Sequence, residues 1–154
     1  MKDPAQLVVA VDFSSGSDAA LDAAMSLAKS FGANLHVVHA FDLPVPLFNP
    51  YAVSVPVAYV NEARDAAEAR LAETAEKVRA EGGSVKTHLG EVPAASTIVR
   101  VAEEVDADLV VIGTRGHTGI KHALLGSVAE RTVRTAPCSV LTVKEPAEGG
   151  DGGA

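Results

Sequence analysis

Asp108–Ser127 reads DLVVIGTRGHTGIKHALLGS, and its two halves are of different kinds. The first, Asp108 to Gly113, is a nearly unbroken apolar run, the pattern of a strand buried on both faces of a parallel sheet. The second, Gly113 to Ser127, holds Gly113, Gly116, Gly119 and Gly126 within fourteen residues, far more than a simple turn requires. Ser127 to Arg134 then carries a short helical pattern. A buried strand running through a glycine-rich segment into a helix is one unit of an α/β sheet. In such sheets, ligands gather at the carboxyl ends of the strands, where the winding direction reverses.

The rest of the chain repeats that grammar. Leu7–Val11 (LVVAV) is a first buried strand ending at Asp12, and Ser14–Asp18 offers several helix caps ahead of a helix over Ala19–Phe31, stopped by Gly32. Asn34–Phe41 reads as the second strand and Val85–Leu89 as the third. Asp42–Pro56 contains Pro44, Pro46, Pro50 and Pro56, which discourage regular hydrogen bonding and predict a long loop or lid. Val57–Glu81 reads as a helix with a Glu73–Lys77 i,i+4 pair, ended by Gly82 and Gly83. Pro93 suits the first turn of a third helix reaching Val105. Cys138–Val143 is the fifth strand, and the tail from Glu145 to Ala154 (EPAEGGDGGA), almost without apolar content, is expected to be disordered. Strands alternating with helices imply right-handed crossovers and one parallel sheet covered on both faces.

Composition narrows the function. The 154 residues suffice for one core, and the 47% hydrophobic content is aliphatic, with only 4% aromatics and no Trp. A formal net charge of -7 repels nucleic acid and anionic lipid, so neither is an expected partner. No apolar stretch approaches the roughly 20 residues that cross a bilayer. One cysteine, Cys138, excludes an internal disulfide, and no secretory signal precedes Leu7, so a cytoplasmic protein is expected.

An anion must therefore be held by local donors. Glycines let the backbone approach phosphate oxygens, and the helix opening at Ser127 points its first amides outward. Arg115, His117, Lys121 and His122 lie in the same segment. Ser127 and Glu130 also form an S-x-x-E pair, which by itself reads equally well as a capping box. Asp12 reads as a ribose or metal contact, or as a cap for the following helix. His36 and His39, three apart on one strand, face opposite sides and cannot readily share a metal. Cys138 reads as a small buried hydrophobe. Neither a Walker P-loop nor G-x-G-x-x-G after the first strand is present.

The pattern Gly113-x2-Gly116-x9-Gly126-Ser127, with Asp12 after the first strand and GTRGHTG followed by LLGSVAERTV, resembles the ATP-binding branch of the universal stress protein family, over Leu7–Val143. The resemblance implies a Rossmann-like fold of the nucleotide-binding α-hydrolase type: one open five-stranded parallel sheet in order 3-2-1-4-5, spanning residues 1–144. It implies ATP, with Mg²⁺ through the nucleotide. Ala10, Val11 and Asp12 would line the ribose and base, Ala40 the adenine, Ile112, Gly113, Arg115 and Gly116 the ribose and phosphates, and Gly126, Ser127 and Val128 the terminal phosphates. It further implies a homodimer through the last strand, using Val140, Leu141 and Val143 on an otherwise exposed edge. Such a protein acts through nucleotide-dependent conformation, with at most slow hydrolysis and no assignable catalytic residue. Two alternatives stand beside it. One is an ATP pyrophosphatase-like enzyme, because Ser14–Asp18 (SSGSD) loosely resembles the SGGxDS loop of that class; the other is a nucleotide-free dimerising or chaperone-like module.

Overall fold

A computed structural model of the protein describes residues 2–43, 55–116 and 125–146. Most of the proline-rich segment, the middle of the glycine segment and the last eight residues lie outside the described residues. The elements run β1 (Gln6–Ala10), α1 (Ser15–Phe31), β2 (Asn34–Phe41), α2 (Val57–Ala80), β3 (Val85–Glu91), α3 (Ala94–Glu104), β4 (Leu109–Gly113), α4 (Ser127–Thr135) and β5 (Ser139–Val143). All strand pairs are parallel, and the sheet order is β3-β2-β1-β4-β5. The order expected from the sequence is therefore the one found. Winding proceeds outward from β1 to β3, then returns to place β4 on the other side of β1. The switch point lies between the carboxyl ends of β1 and β4, at Asp12 and Gly113.

The apolar runs behave as doubly buried strands because alternate residues serve different layers. Leu7, Val9, Val11, Leu35, Val37 and Val111 pack with Leu21, Ala24 and Ala28 of α1 and Leu71 and Val78 of α2. Val8, Val38, Val110 and Ile112 pack with Ile98, Val101 and Ala102 of α3 and Ala129 of α4. This three-layer sandwich holds the fold. The five ion pairs found among the described residues join side chains that are all about half exposed or more, and such pairs contribute roughly 0–1 kcal/mol each. Burial of one side chain such as Leu7 or Leu35 is worth about 1.5–3 kcal/mol.

Several local expectations are corrected. α1 begins at Ser15, four residues before the periodic stretch, because Ser14 is its N-cap and accepts from Ser17 N at 3.3 Å. Lys77 pairs with Asp22 across helices at 3.1 Å rather than with Glu73. Pro93 is the N-cap residue of α3, one place before the first turn. β3 continues through Gly90 and Glu91, where Gly90 brings the strand against Thr97; a Cβ there would lie 2.4 Å from Thr97 Cγ2. His36 and His39 do face opposite sides.

His36 makes a contact that the sequence did not reveal. It is 4% exposed on the α3 face, its Nε2 lies 2.8 Å from Gln6 Oε1 and its Nδ1 lies 2.9 Å from His88 Nε2. With Oε1 accepting, His36 is protonated at Nε2, and His88 donates to Nδ1. A second proton on His36 would make Nδ1 the donor and force His88 into the tautomer that accepts at Nε2. Burial, followed by the neighbouring His88 and Lys86, lowers the His36 pKa below its ordinary 6.5. Burial likewise lowers His88, with Glu104 opposing and Arg100 and Lys86 assisting. A lowered pKa means that the unfolded chain takes up protons that the folded one refuses, so this stability is present above pH 6.5 and is lost as pH falls through the histidine range. Thermal midpoints measured from pH 8 to pH 5 are expected to drop on the acid side, and a His36→Gln/His88→Gln variant is expected to show a flatter profile.

Candidate functional site

Asp12 lies two residues beyond the end of β1. Val11 N continues the ladder by donating to Val38 O at 2.9 Å, and the chain then turns sharply through Phe13, whose φ of 64° is left-handed. A bulky residue adopts that conformation only where its surroundings impose it. Asp12 Oδ1 accepts from Ser14 N at 3.0 Å and from Ser14 Oγ. Ser17 Oγ donates to Ser14 O at 3.1 Å and accepts from Asp12 N at 3.2 Å. Asp12 thus supports the cap of α1 while its second oxygen faces elsewhere.

That second oxygen faces Gly116. A Cβ on Gly116 would lie 2.6 Å from Asp12 Oδ2, so the residue just past β1 and the glycine beyond β4 are in direct contact. The two ends of the glycine segment also meet. Gly126 N donates to Thr114 O at 2.6 Å, and a Cβ on Gly126 would lie 3.8 Å from Arg115 Cα and 4.0 Å from Gly116 N. The chain leaving β4 and the chain entering α4 are therefore held side by side, with Asp12 next to them. His117, Gly119, Lys121 and His122 lie outside the described residues.

α4 supplies the donors. Gly126 is its N-cap, with φ -68° and ψ 164° and no side-chain cap, and the first helical bond runs from Glu130 N to Gly126 O. The capping-box reading is overturned: Ser127 is already inside the helix, and Glu130 pairs with Arg134 at 2.6 Å. Ser127 and Val128 are exposed, and the first-turn amides have no acceptor within the helix. Backbone N–H groups at a helix start, beside glycines, suit an anion. The serine-rich loop serves differently: Ser14 and Ser17 are committed to capping α1 and holding Asp12.

Two glycines have a physical reason that the sequence reading did not give. A Cβ on Gly113 would lie 2.8 Å from Gly16 O, and one on Gly16 would lie 2.5 Å from Arg115 O. Gly113 is therefore needed for backbone-to-backbone packing of β4 on α1; Gly16, Ser14 and Ser17, read from the sequence as helix caps or a loop, border the candidate site together with Phe13 and Thr114, which the sequence reading did not place there. The Ser14-x-x-Ser17 spacing and a glycine in the first turn of a helix following a buried strand were the available signals.

The remaining expected residues sit around this centre. Ala10 ends β1, half-buried. Ala40 lies near the end of β2 beside Gly90, and Ile112 is buried below Gly113, 6% exposed. Arg115 is exposed, as is Gly116. His39 Nδ1 donates to Val11 O at 2.8 Å; burial lowers its pKa, against the opposing effects of that bond and of Asp12. Among the described residues, no group of three or more His, Cys, Asp or Glu is arranged to hold a metal, and no helix is long and apolar enough to cross a membrane. Cys138 is half-buried against the α3 and α4 layer, and burial raises its thiol pKa.

Comparison with known proteins places this geometry in a family. Residues 5–144 match the model of the universal stress protein family. A universal stress protein of Methanocaldococcus jannaschii is 35% identical over 135 residues, covering 85% of this chain and 78% of that one. Among solved structures, the universal stress protein from Archaeoglobus fulgidus in complex with dAMP is 27% identical, with a TM-score of 0.61 over 93% of this chain and 100% of that one. A universal stress protein in complex with cAMP is 25% identical, with a TM-score of 0.70 over 94% and 99%. The family match over residues 5–144 and the relative 35% identical across most of both chains agree: the chain belongs to the universal stress protein family.

Proposed function

We propose that this protein binds an adenine nucleotide, ATP in the first instance, at the carboxyl ends of β1 and β4, and acts through the surface that the bound nucleotide orders. The observation that carries the reading is the convergence of Asp12, Gly116 and the uncapped start of α4 at Gly126. Gly126, Ser127 and Val128 hold the terminal phosphates through first-turn amides, where negative charge is favoured by the helix dipole. Ile112, Gly113, Arg115 and Gly116 border the ribose and inner phosphates. Ala10, Val11 and Asp12 line the ribose and base, and Ala40, lacking bulk, leaves room for adenine. Relatives whose structures hold dAMP and cAMP support the nucleotide class.

The residues present fit the group, and Mg²⁺ with it: the Asp12 carboxylate, next to Gly116 where the ribose meets the inner phosphates, would offer Mg²⁺ an oxygen ligand. Binding is the function, with at most slow hydrolysis, because among the described residues none is placed as a base positioning water on the γ-phosphate. The pyrophosphatase alternative is weakened by the use of Ser14 and Ser17 as structural caps. The edge strand β5, with Leu141 39% exposed, supports pairing with a second copy. A cytoplasmic setting follows from the same reading.

The test is to denature the purified protein and identify what it releases. An adenine nucleotide in near-stoichiometric amount is the expected result. Release of no nucleotide, together with failure to take up added ATP, would favour the nucleotide-free dimerising module. Multiple turnover to AMP and pyrophosphate would favour the enzyme.

A further inference from the structure

His39 grips the chain on both sides of Asp12. Its Nδ1 donates to the carbonyl of Val11 at 2.8 Å, and its ring packs against Phe13, with centroids 4.5 Å apart and planes inclined by 48°. Arg70 of α2 adds a third hold, its guanidinium carbon lying 4.2 Å from the Phe13 ring centroid. Val11 and Phe13 are the two covalent neighbours of Asp12, so one imidazole fixes both peptide units that orient the carboxylate. Phe13 pays for this with its left-handed backbone, φ 64°. Free of the ring contacts, a phenylalanine would relax to negative φ, and Asp12 would turn away from Gly116.

We infer that Phe13, clamped by His39 and Arg70, is a positioning residue that holds the Asp12 carboxylate toward Gly116 and so sets nucleotide affinity without touching the nucleotide. The inference rests on the nucleotide reading of the site. It gives the Phe13, His39 and Arg70 side chains, on the α1 and α2 side of the sheet, a task beyond filling space: they link α2 to the carboxylate at the switch point.

The experiment is a calorimetric ATP titration with a double-mutant cycle. Phe13→Gly permits the left-handed backbone without strain but removes the ring, and is expected to weaken ATP binding about tenfold, the scale of a lost aromatic pair. Phe13→Tyr keeps the ring and is expected to bind like wild type. Arg70→Gln, on an exposed face of α2, is expected to weaken binding about two- to fivefold while leaving the fold intact, and it serves as the test should Phe13→Gly fail to fold. The deciding readout is the Asp12→Ala background, where a residue acting only through Asp12 has nothing left to position. There Phe13→Gly and Arg70→Gln are expected to cause no further loss. If either weakens binding equally with and without Asp12, it acts by another route and the inference is overturned. If wild type binds ATP and both variants match it, the clamp fails while the nucleotide reading stands. If wild type binds no ATP at millimolar concentration, the nucleotide reading fails and the inference with it.

Discussion

Gly16→Ala is expected to lower the thermal midpoint by roughly 5–10 °C, the equivalent of about 2–3 kcal/mol in a domain of this size. Taken alone, the substitution should help, because alanine favours a helix by about 1 kcal/mol over glycine. Here the new methyl would lie 2.5 Å from Arg115 O, a backbone atom. Arg115 cannot yield easily: Thr114 N donates to Val143 O at 3.0 Å and Thr114 O accepts from Gly126 N. Gly113, one turn of the same contact away, would meet Gly16 O at 2.8 Å and is expected to respond likewise. Gly32→Ala provides the contrast. Gly32 has a φ of 64° but nothing within 4 Å of an added Cβ, so its expected loss is only the conformational penalty of about 1 kcal/mol. Melting curves of the three variants check this ranking, and a Gly16→Ala protein as stable as wild type would show that β4 and α1 are not in backbone contact.

Gly116→Ala is expected to do the opposite, leaving the melting temperature within a few degrees of wild type while reducing ATP affinity at least tenfold. Its Cβ would lie 2.6 Å from Asp12 Oδ2, the end of a side chain that can swing aside at a cost of about 1 kcal/mol in disturbed hydrogen bonds to Ser14. The fold survives because a side chain moves instead of the backbone. Binding suffers because the carboxylate leaves the place where ribose or Mg²⁺ is proposed to lie. Paired isotherms and melting curves on wild type, Gly116→Ala and Asp12→Ala check it. The two variants are expected to weaken binding by similar factors, since both remove the same carboxylate from the same place.

The sheet was legible in the sequence because doubly buried strands such as Leu7–Val11 and Asp108–Gly113 carry an apolar density that few other elements need, and glycines or a serine cap mark where each helix stops or starts. The candidate site was legible as a location, since Asp12 lies just past β1 and Gly113 closes β4, and the order of the sheet brings those ends together. What escaped was whatever depends on register or on atoms meeting across elements. The His36–His88 bond follows from a β2–β3 register that pairs His36 with Lys86, and no local pattern encodes that offset. The S-x-x-E pair misled because its meaning depends on whether Ser127 stands at the cap or inside the helix, and Gly126 takes the cap. The glycines carry a second meaning: Gly113 reads as room for phosphate, and its missing Cβ is also required by Gly16 O. Close approach of two backbones and close approach of a ligand leave the same mark on a sequence.

The central claim is that the two ends of the glycine segment and Asp12 grip one adenine nucleotide. Its most direct test is an ATP titration of the nucleotide-free protein followed by backbone amide NMR. Saturable shifts largest at Asp12, Gly116, Gly126, Ser127 and Val128, with Gly32, Gly82 and Gly83 at the opposite end of the sheet nearly still, are the expected result. Absence of saturable shifts at millimolar ATP, or shifts centred on Gly32, Gly82 and Gly83 instead, would contradict it.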